Sequence, residues 1–241
     1  MLHNMRTLLN YAMVSSDGEH YKILDALFHE EAWTLRYFSV STRSGMSGRD
    51  VKLPPKMLKE VQVKDQTMLL SVPAKIVEDS PAIGTDMSIS QEAELLLAKY
   101  WQWANPHEED PLPPILSGTL PLEAGEQGRR FGEEAATSRL RSIVEMHGYS
   151  VRARDGELGR LDSVFCDENW AVRYALVDVR KWFPGKSVLI PVACIEKVRW
   201  ADASMYVEPT VDQIKEAPGY KDSKPLTEKQ EAEIQRHFGT E

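Results

Sequence analysis

Cysteine is nearly absent from this chain of 241 residues: only Cys166 and Cys194 occur, both inside apolar runs. Two core thiols in a reducing compartment are expected rather than a disulfide. Long apolar stretches are missing too, and nothing approaches the roughly 20 residues of a membrane-spanning helix. Met1 to Met13 lacks the charged-then-apolar order of a secretory signal. Positive charge is in short supply. A net formal charge of −8 runs against the Lys and Arg surplus that phosphate contacts demand, so no nucleic-acid partner is expected. The six histidines show no His-x-x-x-His or Cys-pair spacing for a metal. Gly125 to Gly132 lacks the Gly-Lys-Ser/Thr of a phosphate loop. Neither Asp17-Gly18 nor Asp155-Gly156 opens a calcium loop. These absences assign no catalytic residue, cofactor or metal, and a non-enzymatic, cytoplasmic protein is expected.

What the chain does have is an internal repeat. In one constant register Asp25, Phe28, Glu31, Trp33, Arg36, Tyr37, Val40 and Arg43 match Asp162, Phe165, Glu168, Trp170, Arg173, Tyr174, Val177 and Arg180. The register continues through Val51 and Val188, Pro54 and Pro191, Met68 and Met205, Pro81 and Pro218. Upstream, after a one-residue slip, Tyr11 and Asp17-Gly18 meet Tyr149 and Asp155-Gly156. A period this long is a duplicated domain, well beyond the about 20–50 residues of solenoid repeats. The division it implies is a first domain at 1–104, a Pro/Gly-rich linker at 105–137 and a second domain at 138–241.

Each copy opens on a short strand into Asp-Gly, a strong hairpin signal. Further strands are expected at Tyr21–Phe28, Trp33–Val40, Val51–Pro54, Met57–Val63 and Thr67–Val72. Their counterparts are Leu158–Phe165, Trp170–Val179, Ser187–Pro191, Ala193–Trp200 and Ser204–Glu208. Short strands at such spacing suggest a small barrel or sandwich. Helical segments follow in each copy: Pro73–Pro81 and Ser90–Trp103, then Thr210–Pro218 and Thr227–Phe238, with hydroxyl-first capping patterns at Ser90 and Thr227. Glu133–Val144 is a further helix candidate.

Alternation along the third strand places Trp33, Leu35 and Tyr37 on one face, and Trp170, Val172 and Tyr174 on its counterpart. Barrel core is the expected role. Arg36 and Arg173 are expected to pair with Glu31 or Asp25, and with Glu168 or Asp162. One aromatic run has no equal in the second copy. Tyr100, Trp101 and Trp103 stand where the other copy has His237-Phe238-Gly239. They either pack onto a barrel or form a contact surface, and they are the candidate interaction residues.

Gly148-Tyr149, Asp155-Gly-Glu-Leu-Gly159, Asp167-Glu-Asn-Trp-Ala-Val-Arg-Tyr174 and Pro184-Gly-Lys-Ser-Val-Leu-Ile-Pro191 resemble the PRC-barrel family. That family is named for the cytoplasmic domain of the reaction-centre H subunit, and a similar domain forms half of a ribosome maturation factor. The first copy resembles it less closely, with Asn10 for the opening Gly and His20-Tyr21 in the Gly-Glu-x-Gly turn. The resemblance implies an α+β protein of two small PRC-type β-barrels in tandem, each followed by short helices, in pseudo-twofold duplication. It implies a protein-interaction or scaffold role with a protein partner, on a photosynthetic or electron-transfer membrane assembly or an RNA-processing one. Peripheral membrane association stays open, as does the choice between a monomer with pseudo-dimeric barrels and a homo-oligomer. The alternative is a small-molecule or ion-binding protein using the groove between the barrels.

Overall fold

The structure is a computed structural model that describes residues 1–42, 49–81, 91–102, 139–179, 186–221 and 226–240, without the side chains of 91 and 92. Strands are β1 (His3–Asn4), β2 (Ala12–Val14), β3 (His20–His29), β4 (Thr34–Ser41), β5 (Asp50–Leu53), β6 (Leu58–Gln62), β7 (Thr67–Leu70), β8 (Leu140–Ser142), β9 (Ser150–Ala153), β10 (Gly156–Cys166), β11 (Val172–Asp178), β12 (Ser187–Pro191), β13 (Ile195–Arg199), β14 (Ser204–Val207) and β15 (Gly219–Tyr220). Helices are α1 (Met5–Leu8), α2 (Ala74–Glu78), α3 (Gln91–Tyr100), α4 (Ile143–Met146), α5 (Val211–Glu216) and α6 (Glu228–Phe238). The protein is α+β and mostly sheet. No helix among the described residues is long and apolar enough to cross a membrane.

Two compact units divide the chain. One gathers Met1–Tyr11, Asp25–Leu35 and Ser142–Glu241; the other gathers Ala12–Leu24 and Arg36–Arg141. The linker proposed at 105–137 lies outside the described residues.

In the unit containing Ser142–Glu241, the sheet runs β13-β14-β9-β10-β11-β12-β15, with β1 added against β10. β9 and β10 form a hairpin that closes Ala153 onto Gly156, so Arg154 and Asp155 make the turn and Gly156 already belongs to the strand. Asp155 Oδ1 accepts from the Val211 backbone N–H at 2.8 Å. The Asp-Gly motif therefore caps α5 from outside, in addition to the Thr210 capping box. Phe165, Tyr174, Leu176, Leu189 and Tyr220 pack with Ile234 of α6 in one buried cluster. Each such side chain removed from water contributes about 1.5–3 kcal/mol.

The second sheet has the strand path β5-β4-β3-β2-β7-β6. Its β2 pairs parallel with β7, as β9 pairs parallel with β14 in the first. Read by position, the two sheets share one strand order. Gly18 takes the left-handed φ of 94° in the β2–β3 turn, which a residue without Cβ adopts cheaply. Asp17 Oδ1 accepts from the Ala74 N–H at 2.9 Å, a cap on α2 equivalent to that of Asp155 on α5. Tyr37, Phe38, Val40, Leu53 and Leu97 fill the core of this unit.

Expected barrel closure is not found: neither sheet closes on itself among the described residues. The outer strands explain why. β12 gives its far edge to β15, through Ser187–Tyr220 and Val188–Gly219. A 3-10 turn at Val192–Cys194 then carries the chain to the opposite edge, where β13 pairs with β14. In the other sheet, a 3-10 turn at Pro55–Met57 likewise separates β5 from β6.

Three local expectations also change. Trp33 and Trp170 leave the strand alternation because their φ angles, 49° and 63°, are left-handed. Only Leu35 and Tyr37, and Val172 and Tyr174, lie fully in the core. Of the helix expected at Glu133–Val144, residues 133–138 lie outside the described residues; Leu140–Ser142 form β8, and α4 starts at Ile143, where the Ser142 side chain accepts from the Glu145 N–H. Asp162 pairs with Arg6 rather than Arg173, since β10 presents it to α1.

Gly159 sits at a bulge in β10, where an added Cβ would lie 2.0 Å from the Asp178 carbonyl oxygen. Gly159→Ala is expected to lose about 1–3 kcal/mol or more of stability by overpacking against backbone. Gly156→Ala, with only Val211 Cγ2 at 3.5 Å, should change stability by less than about 1 kcal/mol. Urea unfolding of the two variants measures both.

Candidate functional site

The first place where polar side chains gather is a half-open cavity of about 210 Å³. It lies in the unit of Ser142–Glu241, among α1, α4 and β10. Apolar Leu9, Val144, Met146 and Leu161 line it beside Arg6, Asp162, His147 and Ser163. Asn4 starts α1, accepting from the Arg6 and Thr7 N–H groups, and its Oδ1 also accepts from Ser163 Oγ at 2.7 Å. Ser163 Oγ in turn accepts from the Arg6 N–H at 3.1 Å. The Arg6 guanidinium pairs with Asp162. His147 Nδ1 meets the Asp162 carbonyl oxygen at 2.9 Å. Across the cluster, Asp25 accepts from Ser142 Oγ at 2.5 Å and from the Val144 N–H at 3.1 Å, capping α4.

Serine, histidine and aspartate in one cleft invite a nucleophilic reading. The bonds argue against it. A serine nucleophile needs its proton taken by the histidine, whereas Ser163 donates to Asn4 and the histidine nitrogen meets a main-chain oxygen. The acid and base of the cleft, Asp162 and Arg6, neutralise each other. Together these groups seat α1 and α4 on β10.

Other ionisable groups are equally committed. Tyr174 donates to Glu231 Oε1 at 3.0 Å and accepts from Gln235 Nε2 at 3.2 Å. Burial, reinforced by the Glu231 charge, pushes the phenol up to about 12. Burial likewise raises Tyr37, beside Glu94. Both phenols stay protonated at neutral pH. Cys166 and Cys194 are free and buried, and burial pushes both thiols up, away from the thiolate that reactivity needs. Among the described residues, no three His, Cys, Asp or Glu side chains are grouped to hold a metal ion.

The aromatic candidates belong to the other unit. Trp101 is 4% exposed and donates from Nε1 to the Lys52 carbonyl oxygen at 3.0 Å. Tyr100 stands edge-on to it, ring centroids 5.0 Å apart, and donates from its hydroxyl to the Ile76 carbonyl at 2.7 Å. Trp103 lies outside the described residues. Trp101 thus anchors the end of α3 on β5, and half-buried Tyr100 ties it to α2. Two aliphatic side chains join Tyr100 at the surface: Ile76, 40% exposed, and Leu96, 58% exposed. Leu96 precedes Tyr100 by four residues, so both occupy one face of α3. That spacing was present in the sequence; the approach of Ile76 was not.

No protein-family model matches the chain, and no curated protein matches it.

One pH effect follows from the geometry around Trp170. The His3 ring stacks on the Trp170 indole, centroids 5.7 Å apart and 16° between planes. Burial, then the N-terminal ammonium, hold its imidazole below the ordinary value, against a smaller opposing pull from Glu168. A depressed folded value means the unfolded chain binds the proton first. Its contribution is complete above about pH 6.5 and is lost as pH falls through the folded value. Urea midpoints measured from pH 7.5 to 5 should fall in native protein more steeply than in His3→Phe.

Proposed function

We propose that this protein is a non-enzymatic interaction module built from two PRC-type domains in tandem. The single observation that carries the interaction reading is the exposed aliphatic and aromatic surface of Ile76, Leu96 and Tyr100. It is held rigidly because Trp101 and Lys56 fasten the end of α3: Lys56 Nζ donates to the Gln102 carbonyl at 2.9 Å. Large apolar side chains on a fixed frame are what a partner's apolar surface can bury at low entropic cost. The duplicated reading draws support from the common strand order of the two sheets and from the matched caps of Asp17 and Asp155.

The resemblance to PRC barrels adds the kind of setting: docking on a membrane-bound electron-transfer or photosynthetic assembly, or on an RNA-processing one, from the cytoplasmic side. In this reading no step of chemistry occurs on the protein. The committed hydrogen bonds of Ser163, His147 and Tyr174, and the protonated thiols, support it.

A photo-crosslinking residue at Leu96, introduced into the protein in its own cells, tests the surface. One partner protein is expected in the crosslinked product. Ile76→Glu in the same protein should cut its yield by about tenfold or more and leave the thermal midpoint unchanged. Repeated absence of a discrete crosslinked partner would sink the reading.

A further inference from the structure

One difference between the two sheets is a solvent-facing row that the fold itself does not require. Lys197 on β13 is in register with Tyr206 on β14, and Tyr206 with Arg152 on β9. Residues in register on neighbouring strands project from one face. It is the face away from the core, because Met205 and Val151, next to them along each strand, are fully buried. Arg199 follows two residues along β13 on the same face. Lys197 Nζ and Arg199 Cζ stand 5.1 and 5.3 Å from the Tyr206 ring centroid. Exposed Arg154 adds a fourth cation in the adjoining turn.

The other sheet supplies an internal control. There the same row reads Glu60, Leu69 and Val14, and Gln62 takes the place of Arg199. Not one of these is a cation, yet the strand order is the same. Packing therefore does not demand the basic row. Nor do local ion pairs absorb it. Glu196 meets Lys197 at 2.6 Å and Asp202 meets Arg199 at 3.7 Å, but both pairs are exposed and such pairs hold weakly. Glu157 lies in register beside Arg152. The Arg152 and Arg154 side chains make no hydrogen bond or ion pair among the described residues.

A second feature adjoins the row. β13 ends its sheet, paired with β14 on one side only among the described residues. We infer that β13 and its basic row dock an extended acidic polypeptide by strand addition. Its main chain would pair with the open edge of β13, and carboxylates at alternate positions would meet Lys197 and Arg199. Only a polypeptide can use both features, because nucleic acid and lipid have no backbone ladder to offer. This surface is distinct from that of Ile76, Leu96 and Tyr100, and it stands or falls independently of that one.

Fluorescence anisotropy of a labelled decapeptide of alternating glutamate and threonine, titrated with the full-length protein, tests the inference. Binding is expected, with amide shifts in NMR spectra concentrated on Ile195–Arg199. The double variant Lys197→Glu, Arg199→Gln, which installs the residues of the other sheet, should weaken it by about tenfold or more. A peptide of equal charge with proline at every second position, lacking the N–H groups of a strand, should bind about tenfold more weakly. Circular dichroism checks that the variants fold, and Arg152→Val probes the same row from β9 if the double variant does not. Failure of the peptide to bind overturns the inference. So does equal affinity in the folded variants, or tighter binding of oligouridine RNA or phosphatidylserine vesicles than of the peptide.

Discussion

The unit of Ser142–Glu241 depends on a reciprocal pair of main-chain hydrogen bonds. Leu35 N–H donates to the Trp170 carbonyl at 2.9 Å, and Val172 N–H donates to the Trp33 carbonyl at 2.7 Å. Thr34 and Ala171 bridge between them, antiparallel. All six residues are equivalents in the internal repeat, so the contact is self-complementary in the manner of a twofold interface. Both tryptophans must take a left-handed φ to turn their carbonyls toward it, a conformation uncommon for bulky residues and costing about 1–2 kcal/mol each. Stacking offsets that strain. Trp33 lies on Phe28 with ring centroids 5.3 Å apart, and Trp170 on His3. The recurrence of tryptophan at these positions thus records a strained turn with an aromatic anchor.

Around that contact, repeated residues do repeated structural work. Asp17 and Asp155 cap α2 and α5 from outside the helix. Asp25 caps α4 through hydrogen bonds, and the Asp162 carboxylate holds α1 through Arg6. A carboxylate at a helix start accepts otherwise unmet N–H groups and suits the helix dipole. These aspartates attract notice as acids, yet each is occupied in fastening a short helix to a strand. The repeat is a record of construction, and function is sought where the copies part. Two such places stand out: the Tyr100 region and the row from Lys197 to Arg152.

Much of the secondary structure was legible. Strands at Tyr21–Phe28, Ser187–Pro191 and Thr67 onward, and the capped helices after Thr210 and Thr227, come within a residue or two of the observed elements. Period-two alternation and hydroxyl caps are local signals, and local signals survive in a linear chain. The short elements β1, β8, β15, α1 and α4 left no such mark, because they form only where another segment completes them. The candidate surface was half legible. Leu96 and Tyr100 share a helical spacing, but the burial of Trp101 on the Lys52 carbonyl and the arrival of Ile76 depend on segments 49 and 24 residues away in sequence.

By itself the sequence determined the strand-rich α+β class, the Asp-Gly turns and the starts of the capped helices α5 and α6, since each is written in spacing between near neighbours. Tertiary structure alone decided three things. It gathered Met1–Tyr11 and Asp25–Leu35 with Ser142–Glu241 in one unit. It committed Asp17, Asp155, Asp162 and Ser163 to structural bonds. It also placed Lys197, Tyr206 and Arg152 side by side. The physical reason is the same in each case. Which residue faces which across a sheet is fixed by strand order and register, and those follow from burying a shared core, not from any pattern along the chain.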